Sequence, residues 1–108
     1  MAANLPEPLA AYFAAANDHN IGAMLAAFAH DAVVKDEGQT RRGLAAIREW
    51  AEETTRKYQP SFAVVDVNDA AGKIVVVAKV SGTFPGSPLQ LRFTVGLASA
   101  KITSLEIG

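Results

Sequence analysis

The sequence predicts an α+β fold with an antiparallel sheet, and three observations carry that prediction. Apolar residues recur at helical spacing through the first 58 positions. After Pro60 the pattern changes to long strand-like runs rich in valine, isoleucine and threonine. Short turns separate those runs, too short for parallel crossovers between successive strands. Helices first and strands after place the helices on one sheet face.

Pro6 and Pro8 suit a first helical turn, where the missing N–H costs nothing. From there Leu9, Tyr12, Phe13 and Ala16 form one apolar face. Asn17-Asp18-His19-Asn20 breaks the pattern. Ile21, Met24, Leu25 and Phe28 resume it as a second short helix, ended by His30-Asp31. A short strand through Val34 leads to a turn at Glu37-Gly38. Gly43 precedes a third helix, with Ile47, Trp50, Ala51, Thr54 and Tyr58 along one side, and Pro60 stops it.

Four strands follow: Ser61 to Val67, Lys73 to Phe84, Leu89 to Leu97 and Lys101 to Ile107. Leu89, Leu91, Phe93, Val95 and Leu97 alternate with Gln90, Arg92, Thr94 and Gly96, giving one core face and one more polar face. Ile74-Val75-Val76-Val77-Ala78 is apolar on both faces. Such a strand is either central and covered within the chain or covered by a second copy, and a homodimer through the sheet is expected.

Composition narrows the function. The 108 residues are expected to form a single domain, residues 1–108, half hydrophobic with a formal net charge of -1. That balance gives no electrostatic reason to expect nucleic acid or an anionic membrane as partner. The sequence has no cysteine, which excludes disulfides, thiolate metal sites and cysteine nucleophiles. Its two histidines, His19 and His30, stand apart without acidic clusters at ligand spacing, so neither a metal nor a cofactor is expected. Both read as solvated. The start MAANLPEPLA lacks a basic, apolar leader pattern, and a cytoplasmic location is expected.

The chemistry-bearing candidate is Asp36, which ends the apolar run Ala32-Val33-Val34. A carboxylate beside a phenol in an apolar pocket is suited to moving protons on carbon acids, because desolvation strengthens it as a base. Asp-Glu-Gly is also ordinary turn chemistry, and both readings stay open here. Tyr12 reads either as a ligand-facing donor or as a core residue with its hydroxyl at the rim. Trp50 and Tyr58 read as core or as pocket wall, and Phe13, Phe28, Leu91 and Phe93 complete the candidate lining.

The element order, together with FAHDAVVKDEG and RRGLAAIREW, resembles the SnoaL-like proteins of the NTF2-like superfamily. The resemblance implies a cone: a curved antiparallel sheet wrapped around three helices with an apolar pocket between them. The first half is also similar to bacterial ketosteroid isomerase, in AAYFAAAND, LAAFAHDAVVKD and GLAAIREW. By that likeness Tyr12 stands where the isomerase has its oxyanion-donating tyrosine, and Asp36 where it has its general base, with no gap between them. The mechanism is a known worked case of carboxylate and phenol tuning. Two departures stand against a steroid isomerase. Leu91 falls at the second oxyanion donor, and Ala51 replaces a supporting tyrosine. The resemblance thus implies binding of a small hydrophobic, carbonyl or polyketide-like molecule. Either cofactor-independent proton transfer of isomerase or cyclase type accompanies it, or the chain is a non-catalytic ligand-binding or dimerisation module.

Overall fold

A computed structural model describes residues 5–108. Three helices and six strands follow in the order α1 (Glu7–Asn17), α2 (Ile21–Ala26), β1 (Phe28–Asp36), β2 (Gln39–Arg42), α3 (Gly43–Tyr58), β3 (Ser61–Ala70), β4 (Lys73–Ser81), β5 (Leu89–Ala98) and β6 (Lys101–Ile107). The strands form one curved open sheet in the order β2-β1-β6-β5-β4-β3. The expected α+β class and cone architecture hold.

The sheet is not wholly antiparallel. β1 and β6 run parallel, with Val34 opposite Leu105. The short-turn argument applies only to consecutive strands, and these two are joined through a helix and four further strands. The second helix is also shorter than its apolar spacing suggests. It ends at Ala26, and Phe28, His30 and Asp31 belong to β1. Asn20 caps its start, its Oδ1 accepting the Ala23 N–H at 3.1 Å. β2 has only four residues, all polar, and pairs with β1 across the Glu37-Gly38 turn.

The core lies between the helices and the inner sheet face. Leu9, Ile47, Val76, Val95, Ile102 and Leu105 are almost fully buried there, with Phe13 and Phe28 beside them. Asn17 locks α1 to β3: its Oδ1 accepts the Phe62 N–H and its Nδ2 donates to the Phe62 carbonyl. His19 is exposed, as expected, and its Nε2 lies 2.9 Å from the Pro60 carbonyl, tying the same corner to the end of α3.

Strand register sorts the two sheet faces. Val80 pairs with Phe62 and Leu89, Ala78 with Leu91, and Phe93 with Val76 and Ile107, so these residues share the inner face. Val75 with Asn68 and Thr94, and Val77 with Asp66 and Arg92, share the outer one.

Candidate functional site

Helix α3 lies against β1, and its 3.6-residue period sets Trp50, Thr54 and Tyr58 along one side. Opposite them stand the inner-face residues Leu89, Leu91 and Phe93. Between these walls is a cavity of about 630 Å³. Tyr12, Ala16 and Met24 close its buried end, and Glu37, Gly38, Pro85 and Gly108 are its exposed lining residues. A volume of this size suits a small organic molecule, and the lining is predominantly carbon.

Of the residues singled out from sequence, Tyr12, Asp36, Trp50, Tyr58, Leu91 and Phe93 all line this cavity. Phe13 and Phe28 do not. Both pack edge-on to the Tyr12 ring, with ring centres 5.2 and 5.7 Å away, and so hold it from behind. Ala51 is buried and also stands outside the lining.

Asp36 is the last residue of β1, half-buried at the cavity wall. The Trp50 indole donates Nε1–H to its Oδ2 at 3.0 Å. Burial pushes its carboxyl above the ordinary carboxylate value, the strongest of the influences on it. The Trp50 hydrogen bond opposes that push, and the neighbouring Glu37 charge adds to it. The result is a carboxylate raised towards greater basicity yet held in one orientation.

Tyr12 is 1 % exposed and makes no side-chain hydrogen bond among the described residues. Among the described residues no polar side-chain atom fully withdrawn from solvent lacks a partner. Its hydroxyl therefore keeps contact with open space, and the cavity it lines is that space. Burial first, and the Asp36 charge second, push the phenol well above its usual range. At any ordinary pH it is a neutral O–H able to donate to whatever enters.

Sequence reasoning missed Glu37 as a site residue. In an extended strand Asp36 and Glu37 would point to opposite faces. The chain instead turns at Glu37, with φ 54°, and Gly38, with φ 75°, so both carboxylates border the cavity. Glu37 accepts the Tyr58 hydroxyl at 2.6 Å, and that bond raises the Tyr58 phenol. The Glu37-Gly38 dipeptide, which forms the two-residue turn closing the Asp36–Gln39 pair, was the available signal. The Asp36–Trp50 bond had none, since it depends on how α3 seats on β1.

Among the described residues no group of three or more histidine or acidic side chains is placed to hold a metal ion. Arg41 lies close enough to Asp36 to influence it, but its guanidinium faces Gln39, Glu49 and Glu53 and it does not line the cavity.

Residues 9–99 match the family model described as a SnoaL-like domain, and the chain belongs to that family. A solved putative polyketide cyclase from Sinorhizobium meliloti is 35% identical, covers 96% of this chain and 95% of its own, and superposes with a TM-score of 0.92. A protein with a ketosteroid isomerase-like fold from Catenulispora acidiphila, solved in complex with trimethylamine, is 22% identical. Its TM-score is 0.83, with 97% of this chain and 86% of that one covered. An NTF2-like protein from Cytophaga hutchinsonii has 13% identity and a TM-score of 0.79, covering 100% of this chain and 91% of its own. The latter two likenesses concern the fold alone. No curated protein gives a significant match.

Proposed function

We propose that the cavity binds a small, mostly hydrophobic carbonyl compound of polyketide-like character and that the chain moves a proton on it without a cofactor. Asp36 takes a proton from the carbon beside the carbonyl and returns it at another carbon. Tyr12 donates a hydrogen bond to the oxygen on which negative charge develops. The observation that carries this reading is the pairing of a raised carboxyl with an unpartnered, buried hydroxyl in one apolar cavity. Trp50 serves as a positioning residue, holding one carboxylate oxygen so that the other faces the ligand.

The test is ultraviolet detection of double-bond migration in a small β,γ-unsaturated ketone. Turnover that disappears in Asp36→Asn and falls ~10²–10³-fold in Tyr12→Phe is expected. Equal turnover by folded Asp36→Asn would rule the mechanism out.

Leu91 favours a second reading. It lines the cavity with carbon where the resemblance has a second oxyanion donor, which suits a ligand-binding or dimerisation module without chemistry. Ligand binding that persists in Asp36→Asn, with turnover absent from both proteins, would support it.

We also propose a cytoplasmic homodimer formed through the outer sheet face, with neither nucleic acid nor membrane as partner. Val65 is 56% exposed, and Val75 and Val77 are not fully buried. Among the described residues no helix is long and apolar enough to cross a membrane.

A further inference from the structure

We propose that this cavity selects an organic cation: a hydrophobic molecule carrying a protonated or quaternary amine at its mouth end and an oxygen acceptor at its buried end. The inference rests on the cavity being the ligand site and names the class of compound it takes.

Among the described residues the lining's charged side chains are of one sign only: Asp36 and Glu37 are its side-chain carboxylates, and no lysine, arginine or histidine lines it. Two neighbouring cations, Arg41 and Lys57, stand outside the lining. Arg41 faces Glu49 and Glu53 at 4.0 and 3.5 Å. Lys57 is exposed and does not line the cavity, but its Nζ sits over the outer side of the Tyr58 ring, 5.1 Å from its centre. It is also within electrostatic reach of Glu37, which leaves Asp36 and Trp50 as the cation's inner partners.

The walls are aromatic. Trp50, Tyr58 and Phe84 border the half where Glu37 and Asp36 stand, with Phe84 edge-on to Tyr58 at 5.7 Å. Ring faces beside carboxylates attract an alkylated ammonium doubly, through the ring quadrupole and through charge, and they tolerate its methyl groups. An anionic ligand meets the opposite field.

Tyr12 supplies the second, independent pointer. Its buried hydroxyl has no partner within the described chain and opens on the cavity, so it calls for an acceptor atom from outside. Acceptor at one end and cation at the other define the ligand's polarity.

The chain holds one tryptophan, and it lines the cavity, so indole fluorescence reports occupancy directly. Three probes share a phenethyl body and differ in the head: phenethyltrimethylammonium, benzylacetone and hydrocinnamate. The expected order is cation, then neutral ketone, then anion, with the cation favoured over the ketone by about tenfold. Glu37→Gln should remove most of that preference by weakening the cation far more than benzylacetone. Benzylacetone or hydrocinnamate binding as tightly as the cation would overturn the charge selection while leaving the carbonyl-binding reading intact. No response to any of the three would overturn both. A cation preference unaltered in both Glu37→Gln and Asp36→Asn would also overturn the proposal, since those carboxylates would then not be its origin.

Discussion

Asp36 is held between opposing demands, and its stability effect has a definite sign. Folding raises its carboxyl above the ordinary value of 3.8, chiefly through burial. The folded chain therefore binds that proton more tightly than the unfolded chain does. This contribution to stability is full below the unfolded value and is lost as the pH rises through the folded one. Asp36→Asn, which cannot ionise, should raise Tm at pH 7, by more than at pH 4. Thermal melts at the two pH values check this, and a lower Tm at pH 7 would contradict it. Trp50→Phe removes the N–H that faces Oδ2. It should push the Asp36 carboxyl further up and cost about 1–3 kcal/mol of stability, as loss of a hydrogen bond to a charged acceptor does. Both residues stood out in the sequence as separate candidates. Their bond did not, because nothing in a one-dimensional pattern fixes the rotation of a helix over a neighbouring strand.

The elements decide how the mouth of the cavity is shaped. The segment after β4 folds back onto the end of α3, where the Thr83 N–H donates to the Tyr58 carbonyl at 2.7 Å. Gly82 permits that approach. A Cβ there would collide with the Tyr58 carbonyl oxygen and come within 2.9 Å of the Phe84 ring. Gly82→Ala should cost about 1–3 kcal/mol, typical of forced overpacking, and displace Tyr58 and Phe84 from the mouth. Denaturant melts and the fluorescence titration above would read both effects, and an unchanged midpoint would contradict the close docking. At this scale the sequence was legible where periodicity was strong. Helices α1 and α3 and the bodies of β3 to β6 stand where their patterns put them. The boundary of α2 was not, since Phe28 fits a helical spacing and a strand start equally well. The four polar residues of β2 carry no alternation at all; that strand exists because the Glu37-Gly38 turn folds it onto β1.

For the whole molecule, the parallel pairing of β1 with β6 joins the two ends of the fold and lay beyond any local pattern. The cone itself was legible through helix-then-strand order and through a family resemblance that the SnoaL-like match establishes. The outer sheet face sets Val77 between Asp66 and Arg92, and Val75 between Asn68 and Thr94. An apolar strip with opposite charges on its two sides is self-complementary under a two-fold axis. Val77→Lys should convert a dimer to monomer in sedimentation velocity while leaving the circular dichroism spectrum unchanged. A wild-type chain that sediments as a monomer at high concentration would contradict the proposed assembly.

The most direct test of proton transfer is hydrogen exchange on a bound carbonyl compound. In deuterated water, proton NMR of benzylacetone follows loss of the hydrogens beside its carbonyl. Asp36 acting as base predicts exchange well above the buffer rate in the wild type and at the buffer rate in Asp36→Asn. Exchange of equal rate in both proteins, with benzylacetone bound equally by each, would contradict the account.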